Sequence, residues 1–219
     1  MSGLPKPPHN TERQEALDHQ ALRLTMTSSR GTAVLILALV SLFGVEIATH
    51  TMGDETALLR LGALPTDGHL DGEYWRVLTY SFLHLNPLHL VLNVALLWWI
   101  GRIVERRVGT LRAAGIYGAS VVLSASAILT IRGLDPHPGS ALGASGGLFG
   151  LLGAALVLAY RRDMERFGQS RRLRAGLWLC LAIGLGVSLL PNVSLAGHLG
   201  GLVTGPLLGA VAAARRNAA

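Results

Sequence analysis

The chain has 219 residues, of which 50% are hydrophobic and only 15% charged, and its mean hydropathy is +0.44. Ordinary soluble domains carry about 25% charged residues, so a single water-soluble core is excluded and membrane spans are expected. The net charge of +6 does not point to nucleic acid, because the basic residues stand in short blocks beside apolar runs, as topology signals do.

In chain order, residues 1–31 form a polar tail marked by Pro5, Pro7 and Pro8, expected to be largely disordered with a possible helix over 11–24. Six apolar segments follow, at about 32–49, 82–101, 113–131, 144–160, 175–190 and 196–214, and a short tail closes the chain at 215–219. A bilayer core of roughly 30 Å takes about 20 helical residues. The reading is therefore an all-α, polytopic bundle of six transmembrane helices over residues 32–214. The fourth and fifth segments are short, which is tolerable where flanking loops dip into a protein-lined cavity. The first segment follows about 30 polar residues without a convincing cleavage site, so it is read as a span and not as a signal peptide.

Basic residues cluster in the N-terminal tail, after the second span (Arg102, Arg106, Arg107, Arg112), after the fourth (Arg161, Arg162, Arg166, Arg171, Arg172, Arg174) and at Arg215 and Arg216. Only Arg60, Arg76 and Arg132 fall on the opposite side. The positive-inside rule puts both termini in the cytoplasm. Segment 50–81 is the largest non-cytoplasmic loop. Its Glu73-Tyr74-Trp75-Arg76 stretch suits the membrane interface, with Arg76 meeting lipid phosphate or loop carbonyls and a substrate contact as the lesser alternative. Cys180 lies in an apolar run and is read as a buried small hydrophobe; one cysteine makes no internal disulfide and no zinc pattern is present.

Polar residues inside spans are costly and mark function by default. His89 and Asn93 in span 2, Ser145 at the start of span 4 and His198 at the start of span 6 all lie near the outer ends of spans that run in the same direction, and hence at similar depth. His89 and Asn93 are i and i+4, on one helix face. Ser145 sits in Gly143-Ala144-Ser145-Gly146-Gly147, where glycines let backbone approach a ligand and the helix start leaves amides free. Gly201 and Gly205 follow His198 and give a smooth face that can pack on Gly146, Gly150 and Gly153. Such packing would bring Ser145 within reach of His198. A serine needs a base, and histidine is the usual one. With no carboxylate in the outer half near the site, the reading is a dyad in which His198 is oriented by packing. The oxyanion would be held by the Ser145 amide and the side chains of His89 and Asn93. Taken singly, each of these residues can be structural: Ser145 bonded to its own helix, His89 and Asn93 bonding between helices. His84 reads as structural or loop-anchoring sooner than catalytic, and Ser124, Ser126 and Ser188 as serines bonded back to their own helices.

The set Trp75-Arg76, His84-x4-His89-x3-Asn93, Glu105-x3-Gly109, Gly143-x-Ser145-Gly146 and His198-x2-Gly201-x3-Gly205 resembles the rhomboid intramembrane serine proteases over about residues 32–214. The resemblance implies a serine endopeptidase with a Ser–His dyad and an acyl-enzyme, no cofactor or metal, and transmembrane substrates cut near their outer ends in the lipid bilayer. It also implies an aromatic residue four positions after the serine packing on the histidine, here Phe149. The rivals are a non-catalytic relative that escorts membrane clients, which would lack the serine or the histidine, and a small transporter, which would show internal repeats. A bacterial plasma membrane is the expected location; substrate and oligomeric state are not readable.

Overall fold

The computed structural model describes residues 29–131, 139–160 and 171–214, with side chains to residue 212. The expected tail helix, His137, Arg132, the first basic residues after span 4 and the C-terminal tail lie outside the described residues. Helix α1, Arg30–Ala48, has 19 residues and is built mostly of Ala, Val, Leu and Ile. Its faces carry wide-open apolar side chains, Val34 and Leu37 among them, as do Leu88, Leu179, Val203 and Leu207 on other helices. So many large apolar side chains left open suit lipid and not water. Among the described residues, four helices have the length and composition to cross a membrane: α1, α4 (Pro87–Val108), α5 (Thr110–Thr130) and α8, whose qualifying stretch is Leu195–Ala212. The chain is a polytopic helical membrane bundle. Two shorter helices are described beside them, α6 (Ser145–Ala159, 15 residues) and α7 (Arg171–Val187, 17 residues).

The second helix begins later than the apolar pattern implies. Residues 82–86 are not in it: Tyr80–Phe82 form a 3-10 turn, and Asn86 caps the helix by accepting the His89 amide at 2.9 Å, with Pro87 at the first position. Proline and a capping Asn set a start that hydropathy alone does not register. The fifth segment likewise runs from Arg171 to Val187 and not over 175–190. Cys180 is half-buried against the core, not fully enclosed.

At one end of the bundle, α4 and α5 are joined through Gly109 alone, held at φ +90°. Here Glu105, which is buried, accepts hydrogen bonds from the Gly31 and Thr32 amides, both at 2.8 Å, and from the hydroxyls of Thr32 at 2.6 Å and Thr110 at 2.7 Å. A carboxylate at the first turn of α1 meets free amides and the positive end of the helix dipole. Glu105→Gln replaces one acceptor oxygen by a donor facing donors. It should cost about 1–2 kcal/mol, read as a lower unfolding temperature in detergent; an unchanged transition would refute the staple.

The loop between α1 and α4 is folded and not merely laid on a surface. Asp54 caps α2 (Glu55–Leu61) by accepting from the Ala57 amide at 3.1 Å, and Gly62 ends it at φ +116°. Arg76 opens α3 (Arg76–Thr79). Its guanidinium bonds Glu73 at 2.7 Å, the Ala63 carbonyl at 2.8 Å and the Leu59 carbonyl. Of the roles expected for Arg76, the structure shows the bonds to loop carbonyls, with Glu73 added, and the exposed Trp75 ring lies 4.7 Å from the same guanidinium. Strand β1 (Leu64–Pro65) pairs antiparallel with β2 (Ser140–Ala141), Leu64 opposite Ala141. That ladder fixes the segment that runs into Ser145.

The centre is α6, packed between α5 and α8. Thirteen of its 15 residues are buried. A Cβ on Gly201 or Gly205 would strike the carbonyl oxygens of Gly146 or Gly150, and one on Gly153 would strike Pro206. The backbones of α6 and α8 are thus in direct contact, as the glycine spacing predicts. Ser124 on α5 donates to the Gly197 carbonyl at 2.7 Å, so it ties α5 to α8 and is not bonded to its own helix. Ser126 bonds back to Val122 at 2.9 Å.

Candidate active site

The α6–α8 contact brings Ser145 and His198 together: Ser145 Oγ lies 2.8 Å from His198 Nε2. Ser145 is the first residue of α6, so its amide has no carbonyl partner within the helix. His198 stands in the first turn of α8, and its amide is bonded to the Ser194 carbonyl at 3.2 Å. Its ring is buried and stacks on Phe149, with centroids 4.2 Å apart and planes 13° from parallel. Phe149 is one turn after Ser145 on the same helix, so the helix that carries the hydroxyl also carries the platform for the imidazole.

His198 has a second polar partner that the sequence reading did not find. Its Nδ1 lies 2.6 Å from Ser188 Oγ, at the end of α7. Ser188 is bonded to its own helix, to the Gly184 carbonyl at 2.7 Å, as expected of it; the imidazole contact is additional. His198 is therefore held by hydrogen bonding as well as by packing. The available signal was a polar side chain at the C-terminal end of an apolar run, ten residues before the histidine.

His89 and Asn93 stand on α4, one turn apart. The His89 ring presses on Gly143: a Cβ there would lie 2.6 Å from His89 Cε1 and 2.8 Å from Nε2. Gly143 is at φ +116° and donates its amide to the Tyr80 carbonyl at 2.9 Å. Only glycine satisfies both the left-handed backbone and the ring above it. Asn93 is buried and donates from Nδ2 to the His89 carbonyl at 2.8 Å, one of its two amide hydrogens. Gly146 leaves room for Ser124 Oγ and the Tyr80 hydroxyl, which itself donates to the Val121 carbonyl at 2.9 Å.

His84 lies before α4, not on it. It is fully buried, its amide donates to both Glu46 carboxylate oxygens at 3.1 and 3.3 Å, and its ring sits edge-on to His89 at 5.1 Å. It anchors the turn that delivers His89. Glu46, near the C-terminal end of α1, thus serves that turn. Among the described residues no group of His, Cys, Asp and Glu is arranged to hold a metal ion.

A family model described as the Rhomboid domain matches residues 71–215. The chain belongs to the rhomboid family. It is 33% identical over 172 residues to rhomboid protease GluP of Bacillus subtilis, covering 78% of this chain and 32% of that protein. It is 34% identical over 156 residues to RHOMBOID-like protein 5 of Arabidopsis thaliana, which is 70% of this chain and 49% of the relative. Rhomboid protease GlpG of Photorhabdus laumondii is 28% identical over 202 residues, 91% of this chain and 65% of its own. The chain thus spans 32% to 65% of the length of these relatives.

Proposed function

We propose that this protein is an intramembrane serine endopeptidase in which Ser145 is the nucleophile and His198 the general base. The observation that carries the reading is the 2.8 Å contact between Ser145 Oγ and His198 Nε2, formed inside a membrane bundle by two helices locked together through glycine. A hydroxyl and an imidazole at that separation can exchange the proton that makes serine nucleophilic.

Ser145 Oγ attacks the scissile carbonyl while its proton passes to His198 Nε2. The tetrahedral oxyanion is received by the Ser145 amide and by donors from His89 and Asn93. Nε2 returns the proton to the leaving amine, an acyl-enzyme remains, and water attacks it by the reverse path. The substrate is a transmembrane segment that unwinds locally and enters between α4 and α7 as an extended strand. The six helices α1, α4, α5, α6, α7 and α8 cross the membrane with both termini in the cytoplasm, and the site opens to the outer side of a bacterial plasma membrane. The distribution of arginine supports that orientation.

The test is cleavage of reporter transmembrane segments by the purified protein in liposomes. Products cut within or beside the span, formed by the protein alone, would establish the activity. No product from a panel of segments, with the fold intact, would overturn it and leave a client-binding role. Within the same assay, Asn93→Ala should lower kcat about a hundredfold with KM little changed, since one oxyanion donor contributes about 3 kcal/mol to the transition state. An unaltered kcat would remove Asn93 from the site.

A further inference from the structure

His198 has two ring nitrogens, and the dyad uses only one. Nε2 can take a proton from Ser145 only if its lone pair is free, and that requires the ring proton to be on Nδ1. The partner of Nδ1 therefore decides whether the base is armed. That partner is Ser188 Oγ, 2.6 Å away and buried. A hydroxyl has one proton. Ser188 has a second contact to place it in, the Gly184 carbonyl at 2.7 Å, and a carbonyl can only accept. With the Ser188 proton directed to Gly184, its oxygen lone pair faces Nδ1 and accepts the ring N–H. The four groups then form one directed chain: Ser145 O–H to Nε2, Nδ1–H to Ser188 Oγ, Ser188 O–H to the Gly184 carbonyl.

Gly184 supports the same imidazole a second time. A Cβ at this position would lie 2.7 Å from Phe149 Cζ, so the bare α-carbon seats the ring on which His198 stacks. One turn of α7 thus sets both the edge and the face of the histidine.

We propose that Ser188 is a positioning residue that fixes the tautomer of His198, a neutral substitute for the carboxylate that orients the base in triad hydrolases. This rests on the proposed protease reading, and it makes the placement of α7 a condition for an armed base. Transfer to Nε2 in the reaction gives an imidazolium whose Nδ1–H stays on Ser188 Oγ; no proton leaves through Ser188 and no bond to it is made or broken.

The experiment compares wild type, Ser188→Ala and Ser188→Thr by cleavage kinetics, thermal unfolding and nitrogen NMR of ring-labelled histidine. Ser188→Ala should lower kcat about 10- to 100-fold with KM nearly unchanged and the protein still folded, and Ser188→Thr, which keeps the hydroxyl, should restore it. In the wild type the His198 spectrum should show protonated Nδ1 and unprotonated Nε2, a signature that Ser188→Ala scrambles. An alanine variant that turns over like wild type, or a wild-type spectrum with the proton on Nε2, would overturn the assignment while leaving the dyad intact. The spectrum needs no substrate, so it decides on Ser188 even if the wild type cleaves nothing and the protease reading itself falls.

Discussion

Ser145→Ala should reduce cleavage by roughly 10⁴-fold or more while leaving the protein folded. The side chain loses one oxygen at a half-buried position at the mouth of α6, and no packed volume is removed, so unfolding should move by no more than about 0.5 kcal/mol. His198→Ala should produce a loss of the same order for a different reason. The nucleophile remains but keeps its proton, and the residual rate is that of unassisted attack. The double variant should be no slower than either single one, because nucleophile and base act as a unit. The two single variants should separate in stability. Removing the imidazole strips Phe149 of its stacking partner and leaves Ser188 Oγ facing a void, so only His198→Ala should melt earlier. Cleavage by Ser145→Ala at more than about a hundredth of the wild-type rate would end the serine mechanism.

Gly205→Val should be the most destabilising of the simple substitutions on α8. Its Cβ would point into the Gly150 carbonyl oxygen of α6, and the obstacle is backbone, which has no rotamer to yield. Overpacking a close-packed interior costs about 1–3 kcal/mol when side chains can move; against backbone the expected cost is about 3 kcal/mol or more. The helices must separate, and with them Ser145 and His198, so activity should vanish together with stability. That pairing distinguishes it from Ser145→Ala. Gly186→Ala supplies the contrast, since nothing lies within 4 Å of a Cβ there; its unfolding temperature should hold or rise slightly. A melting curve for Gly205→Val that matches wild type would mean that the two backbones are not in contact.

Ser145, His198, His89, Asn93 and the glycines between them were legible in the sequence because each violates the local rule for a membrane span. A polar residue or a glycine ladder in an apolar run stands out without any knowledge of the fold. The helix ends were less legible. Hydropathy cannot distinguish Ser81 to Asn86 from the start of α4, whereas the Asn86 cap and Pro87 do. Ser188 was visible as a residue but not as a partner. A serine bonded to its own helix is the common case, and that bond is present; the second contact exists only because α7 and α8 meet at that point, which the periodicity of neither helix encodes. Glu46 is similar. It stands 43 residues before His89 along the chain, and a fold in which the first loop doubles back puts it under the turn before His89.

The enclosure of α6 also sets what the bilayer can do to this protein. At about 1.5 Å per residue, its 15 residues reach roughly 22 Å, well short of a hydrocarbon layer of about 30 Å. A lipid-facing helix of that length would thin the membrane or tilt against it. Because α6 is walled in by its neighbours, lipid never meets the shortfall, and the mismatch is borne by α1, α4, α5 and α8, which are long enough to bear it. The separation of Ser145 and His198 is thereby insulated from membrane thickness, because the contact that sets it, α6 against α8, is made by protein alone.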